Sequence, residues 1–142
     1  MFRRPEVAAV VEERGYLPHA ESVAETLGAH ALLLVVDDVP GSEHIVPGKV
    51  FEYLGARRPI LAVGPEGDVA ALVRQTRAGT VADRRDVEGI ARAVLGLYRE
   101  WSATGTTAFP GDDAQVERQS RRERTRELAA VLTEVLEERH DP

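Results

Sequence analysis

Ala31-Leu32-Leu33-Leu34-Val35-Val36-Asp37-Asp38 is a continuously apolar run stopped by two acids, and its reading decides the fold class. A short apolar run rich in branched residues and ended by polar ones reads as a strand buried on both faces. Downstream, helical and apolar stretches alternate. Gly48–Ala56 reads as a helix with Val50, Phe51 and Leu54 on one side, and Pro59–Val63 as a second buried strand ended by Gly64-Pro65-Glu66-Gly67. Asp68 suits the N-cap of a helix over Val69–Gln75, because its carboxylate accepts from free backbone N–H groups. Gly79–Ala82 is a third short strand, and Val87–Trp101 a longer helix with Ile90, Val94, Leu97, Tyr98 and Trp101 at three- and four-residue spacing. Strands alternating with helices at this spacing predict an α/β domain with a doubly wound parallel sheet. Upstream, Ala20–Gly28 reads as a helix and a further strand is expected between Val7 and Tyr16.

Ser102 to Asp113 is rich in Gly, Thr, Pro and Asp and reads as a loop. Gln115–Arg139 then consists of helix formers without Gly or Pro, with Leu128, Val131, Leu132, Val135 and Leu136 confined to its C-terminal part. The expected organisation is an α/β domain over residues 1–103, a loop over 104–113, and a C-terminal helix over 114–142. That helix would dock on the domain, on a partner, or on a domain outside the chain.

Composition narrows the function. The 142 residues carry no cysteine, which removes disulfides, thiolate metal sites and a cysteine nucleophile. Histidines at 19, 30, 44 and 140 have no metal-ligand spacing, so no metal or cofactor is indicated. A net charge of -6 argues against general nucleic-acid binding. The Arg118–Arg126 run is interleaved with Glu117, Glu123 and Glu127 and reads as a salt-bridged helix face. The longest apolar run falls far short of the roughly 20 residues of a membrane-spanning helix, and no signal peptide is visible, so a cytoplasmic location is the expectation. Of the 18 basic side chains a single one is lysine, Lys49.

Ligands of open parallel sheets bind beyond the C-terminal ends of the strands. The loop from Asp37 to Pro47 leads into the Gly48 helix, whose free N–H groups and dipole suit phosphate. Gly48 lets a backbone approach an anion, Lys49 adds a point charge, and Glu52, one turn on, can accept from a ribose diol. Read on these residues alone, Pro47-Gly48 is equally a turn, Lys49 a solvated charge and Glu52 a favourable residue for a helix start. Asp37-Asp38 after a strand also invites comparison with a phosphoacceptor receiver, but Lys49 comes too early for that order.

The stretch PGKVFEYLGARRPILAVGPEGD, Pro47 to Asp68, resembles the donor-binding domain of GT-B glycosyltransferases of the family-four type. Gly15-Tyr16-Leu17-Pro18-His19 resembles the turn before the preceding helix, and Ala78-Gly79 the start of the next strand, so the likeness covers roughly residues 8 to 100. The resemblance implies that Glu52 holds the nucleotide ribose, that Gly48 and Lys49 face the diphosphate, and that Tyr16 lies near the nucleobase. Many members carry an acid eight residues before the ribose glutamate, in contact with the donor sugar. Here His44 stands there and Glu43 one residue further away, so sugar contact by either stays open.

The same resemblance implies glycosyl transfer from a nucleotide sugar, usually with retention, by a two-domain enzyme of which this chain is the donor half. The N-terminal acceptor domain and the donor domain's first strand would lie outside it or on a partner chain. No catalytic base is identifiable. Peripheral membrane association of the intact enzyme is an open expectation. The alternative is a non-catalytic interaction or nucleotide-binding module that kept the fold.

Overall fold

In the computed structural model, which describes residues 4–138, the chain is an α/β fold around a three-stranded parallel sheet. The strands are β1 (Leu32–Val35), β2 (Ile60–Val63) and β3 (Gly79–Ala82), in the order β1-β2-β3. Leu32 pairs with Ile60 and Val35 with Val63, while Ile60 pairs with Gly79 and Val63 with Ala82. Helix α1 (Pro5–Ala8) and α2 (His19–Gly28) precede the sheet. Then α3 (Lys49–Ala56) connects β1 to β2, α4 (Asp68–Gln75) connects β2 to β3, and α5 (Val87–Thr104) follows β3. Two C-terminal helices, α6 (Asp113–Glu117) and α7 (Arg121–Glu138), complete the described residues.

Side chains alternate across a strand, and the sheet uses its two faces unequally. One face carries Leu34, Val36, Ile60 and Ala62. It packs against Val50 and Leu54 of α3, Val69, Leu72 and Val73 of α4, and Val116 of α6. The other carries Leu61, Val63 and Ala82, covered by Ile90 and Ala93 of α5. Helix α5 therefore packs on β2 and β3, and beside β1 it leaves an open hollow walled by Leu33, Tyr98 and Trp101. The expectation that Ala31–Val36 is buried on both faces is corrected here. Leu32 and Leu34 are buried, whereas Leu33 and Val35 are 57% and 62% exposed. β1 is an edge strand with one covered face. For the same reason Val94, Tyr98 and Trp101 of α5 remain partly exposed, with Trp101 resting against the rings of Tyr98 and His30.

The strand expected between Val7 and Tyr16 does not form. Pro5 starts the single turn of α1, and the residues from there to Tyr16 are exposed or half-buried, Val10 and Tyr16 almost completely exposed. Glu12-Glu13-Arg14 breaks the apolar pattern, and Arg14 pairs with Glu12 and Glu25. Asp68 is not the cap of α4 but its first residue. Gly67 holds the cap position, and no side chain caps that end.

A long C-terminal helix forms as expected, α7, but it begins at Arg121 rather than near residue 114, because the stretch is interrupted after α6. Asp112 caps α6 by accepting from the N–H groups of Ala114 and Gln115, and its own N–H donates to Thr76 O at 2.9 Å. This tether drops Val116 into the core at 5% exposure and buries Gln119 behind it. The chain must then turn outward again. Ser120 Oγ accepts from Glu123 N at 3.3 Å and starts α7 in the new direction. Propensity made the stretch continuous; tertiary burial of one valine splits it. Arg139 and His140 lie outside the described residues. Among the described residues no helix is long and apolar enough to cross a membrane.

Candidate functional site

Three connections leave the C-terminal ends of the strands, and short-range packing fixes two of them against each other. After β1 the chain makes a 3-10 turn at Ser42–His44, where buried Ser42 accepts from Val39 N at 3.2 Å. Gly67 presses on the backbone of Glu43, a contact that leaves no room for a Cβ. Glu43 is thereby held half-buried, and His44 Nδ1 lies 3.7 Å from Asp68 Oδ2 at the start of α4. After β3, Arg84 and Arg85 approach Asp38 at 3.9 and 3.4 Å, so the second aspartate behind β1 is engaged from the third connection.

Glu66, in the second connection, is gripped by both terminal nitrogens of Arg74 at 2.6 Å each. The hydrogen bonds from Arg74 hold its carboxyl below the usual glutamate range, against an opposing effect of desolvation. A depressed folded-state value means the pair contributes above the carboxyl's unfolded pKa and is lost as pH falls through the folded one. An NMR titration should therefore place Glu66 below an ordinary glutamate, and Arg74→Ala should return it to the usual range.

A large hollow lies along the outer side of α3. Val50 and Leu54 point into the core, which turns Gly48, Phe51, Glu52 and Gly55 outward, a spacing of three to four residues that marks one helix face. Opposite them stands the α6–α7 corner. The groove between has a volume of about 750 Å³, and Arg57, Glu117, Arg121 and Arg124 bring charge to its walls. Arg57 closes one end. It sits in the left-handed region at φ 53°, donates to Leu54 O at 3.2 Å, and pairs with Asp113 at 3.0 Å, with its guanidinium 5.8 Å from the Phe109 ring centre. Arg124 donates to Glu127 at 2.9 Å and to Gln119 Oε1 at 2.5 Å. The groove is thus lined by three guanidinium groups, two of them fixed by carboxylates and an amide, together with the carboxylates of Glu52 and Glu117.

Of the residues singled out from sequence, Gly48 and Glu52 line this groove together. Lys49 is exposed on α3 outside the groove lining, Glu43 and His44 sit at the α4 end, and Tyr16 stands 95% exposed away from both. Arg57, Arg121 and Arg124 were not anticipated. Arg57 follows α3 directly at its C-cap, whereas Arg121 and Arg124 come to the groove only through the fold, so no local spacing announces those two. A second hollow of about 320 Å³ lies beside β1 and is apolar, with Leu33, Tyr98 and Trp101 among its walls. Among the described residues, no group of three or more His, Asp or Glu side chains is placed to hold a metal ion.

Comparison with known proteins returns no match: no family model, no curated protein and no solved structure aligns with this chain. The groove itself therefore carries the chemistry. Its carboxylate can accept from hydroxyl pairs, and its guanidinium groups can donate to anionic oxygens.

Proposed function

We propose that this chain is the nucleotide-sugar-binding half of a two-domain GT-B glycosyltransferase, with the domain over residues 1–103 a doubly wound, Rossmann-like unit completed outside it. The observation that carries the reading is the shared wall of Gly48 and Glu52, which faces Arg121 and Arg124 across a groove large enough for a small ligand. Glu52 accepts from the ribose hydroxyls. Gly48 allows close approach of the diphosphate, and Lys49 extends the positive field from the start of α3. The resemblance assigns the donor sugar to Glu43 or His44 and the base to Tyr16, none of which lines the groove itself. The task in transfer is to stabilise the departing nucleoside diphosphate, which guanidinium groups and a helix N-terminus do by charge and hydrogen bonding. The acceptor, and the groups that act on it, belong to the other domain or to a partner chain.

Calorimetry with uridine, guanosine and adenosine diphosphates tests this directly. Saturable binding is expected, weakened about tenfold or more by Glu52→Ala, since a hydrogen bond to a charged group contributes about 1.5–3 kcal/mol. Absence of binding at millimolar nucleotide sinks the reading. The second reading, a non-catalytic interaction module, is favoured by α7, none of whose residues from 121 to 137 is buried.

A further inference from the structure

The charges at the start of α7 work against their own helix. A helix N-terminus is the positive end of its dipole and favours acids. Here Arg121, Arg122 and Arg124 crowd the first turn around a single acid, Glu123, and that carboxylate is already taken by Arg126 at 2.6 and 2.7 Å. Arg124 has Glu127, whereas Arg121 lines the groove and forms no ion pair among the described residues. Two residues before the helix lies Gln119, which is 7% exposed and whose Oε1 accepts from Arg124. A guanidinium can only donate, so this bond fixes which end of the amide is which and turns Nε2 away from Arg124. The N–H groups of Nε2 have no acceptor among the described residues. No side-chain nitrogen among those residues is sealed from solvent without a partner, so Nε2 opens onto the space beside it, the groove that Gln119 lines.

We propose that Gln119 and Arg121, with Arg124 holding the amide in place, form the phosphate subsite of the groove. The inference rests on the donor-binding reading above and adds which residues take the phosphate. The bound anion supplies the negative charge that the start of α7 lacks. Its donors come from separate groups, an amide and a guanidinium fork. The tetrahedral oxygens of a phosphate accept from several directions, whereas a carboxylate accepts close to one plane. Gln119 is the rigid member: burial and the bond from Arg124 fix it before any ligand arrives, so little side-chain freedom is lost on binding. The same groove carries Glu52 and Glu117, neither in an ion pair among the described residues. Their charge turns away polyanions and leaves room for neutral hydroxyls. The ligand class is therefore a phosphate or diphosphate joined to a hydroxyl-bearing group.

Calorimetry of the full chain with inorganic pyrophosphate, beside the nucleoside diphosphates, tests it. Pyrophosphate should bind saturably, and Arg121→Ala should weaken it about tenfold or more. Arg122→Ala removes the same charge from the same turn but outside the groove lining, and should change binding by less than about twofold. Gln119→Glu replaces the donors with a carboxylate of the same shape and should abolish binding; where that variant fails to fold, the exposed Arg121 still decides. Glu52→Ala should tighten pyrophosphate, by removing a repelling charge, while weakening nucleoside diphosphates. Nucleoside diphosphates that bind with indifference to Arg121→Ala overturn the subsite and leave the donor reading standing. Pyrophosphate binding that needs Arg121, without nucleotide binding, does the reverse. Equal losses from Arg121→Ala and Arg122→Ala mean general charge attraction and overturn the subsite, as does no pyrophosphate binding at millimolar concentration.

Discussion

Leu34→Ala should lower unfolding free energy by about 2–5 kcal/mol, while Leu33→Ala, one residue away, should change it by less than about 1 kcal/mol. The residues are chemically identical neighbours. Leu34 is 4% exposed between α3, α4 and β2, and its truncation removes dispersion contacts and leaves a cavity. Leu33 borders the open hollow between β1 and α5 and is 57% exposed. Urea unfolding of both variants measures the contrast. Equal, large losses would mean that β1 is covered on both faces in solution. Since small domains are stable by about 5–15 kcal/mol in all, the Leu34 variant is expected near the limit of folding.

Gly79→Val separates local propensity from packing. Valine is favoured in strands and glycine is not, so propensity alone predicts a gain. At Gly79, however, a Cβ would fall on the carbonyl oxygen and backbone of Ile60 in β2. Ile60 is fixed there by its N–H bond to Ala78 O at 2.9 Å and by near-complete burial. The strands must move apart or the register must yield, at a cost of about 1–3 kcal/mol or more. The expected result is a lower urea midpoint together with loss of near-ultraviolet signal, and a midpoint equal to or above that of the parent chain would refute the close approach.

These two positions show where the sequence was legible. Alternation of apolar and helical stretches was enough for β2, β3, α3, α4 and α5, because each is defined by contacts within a short span of chain. The run at Ala31–Val36 was recognised as a strand, but its number of buried faces depends on what lies beside it in space. No property of six apolar residues distinguishes an edge from a centre. The break between α6 and α7 failed for a similar reason: it arises from Val116 meeting the core and Asp112 meeting Thr76, both distant contacts. At the candidate site, Gly48 and Glu52 were visible because helical spacing puts them on one face. Arg121 and Arg124 were not, since only the return of the chain over α3 makes them neighbours, and Arg57, though next to α3 in sequence, gave no sign of lining the groove.

The open side of β1 has a bearing on handling the protein. In a parallel ladder, alternate residues direct their N–H and C=O groups to opposite neighbours, so half of those on β1 turn away from β2. An apolar edge with unpaired backbone groups is the kind of surface on which cross-β growth starts. Two features blunt it here. The strand is four residues long, and it runs directly into Asp37 and Asp38, the latter already drawing Arg84 and Arg85 to the same corner. Those aspartates act as gatekeepers: their charge keeps a second edge from aligning along the full run. High salt, which screens that charge, is thus the condition under which concentrated stocks of this protein lose their protection from fibrillar association.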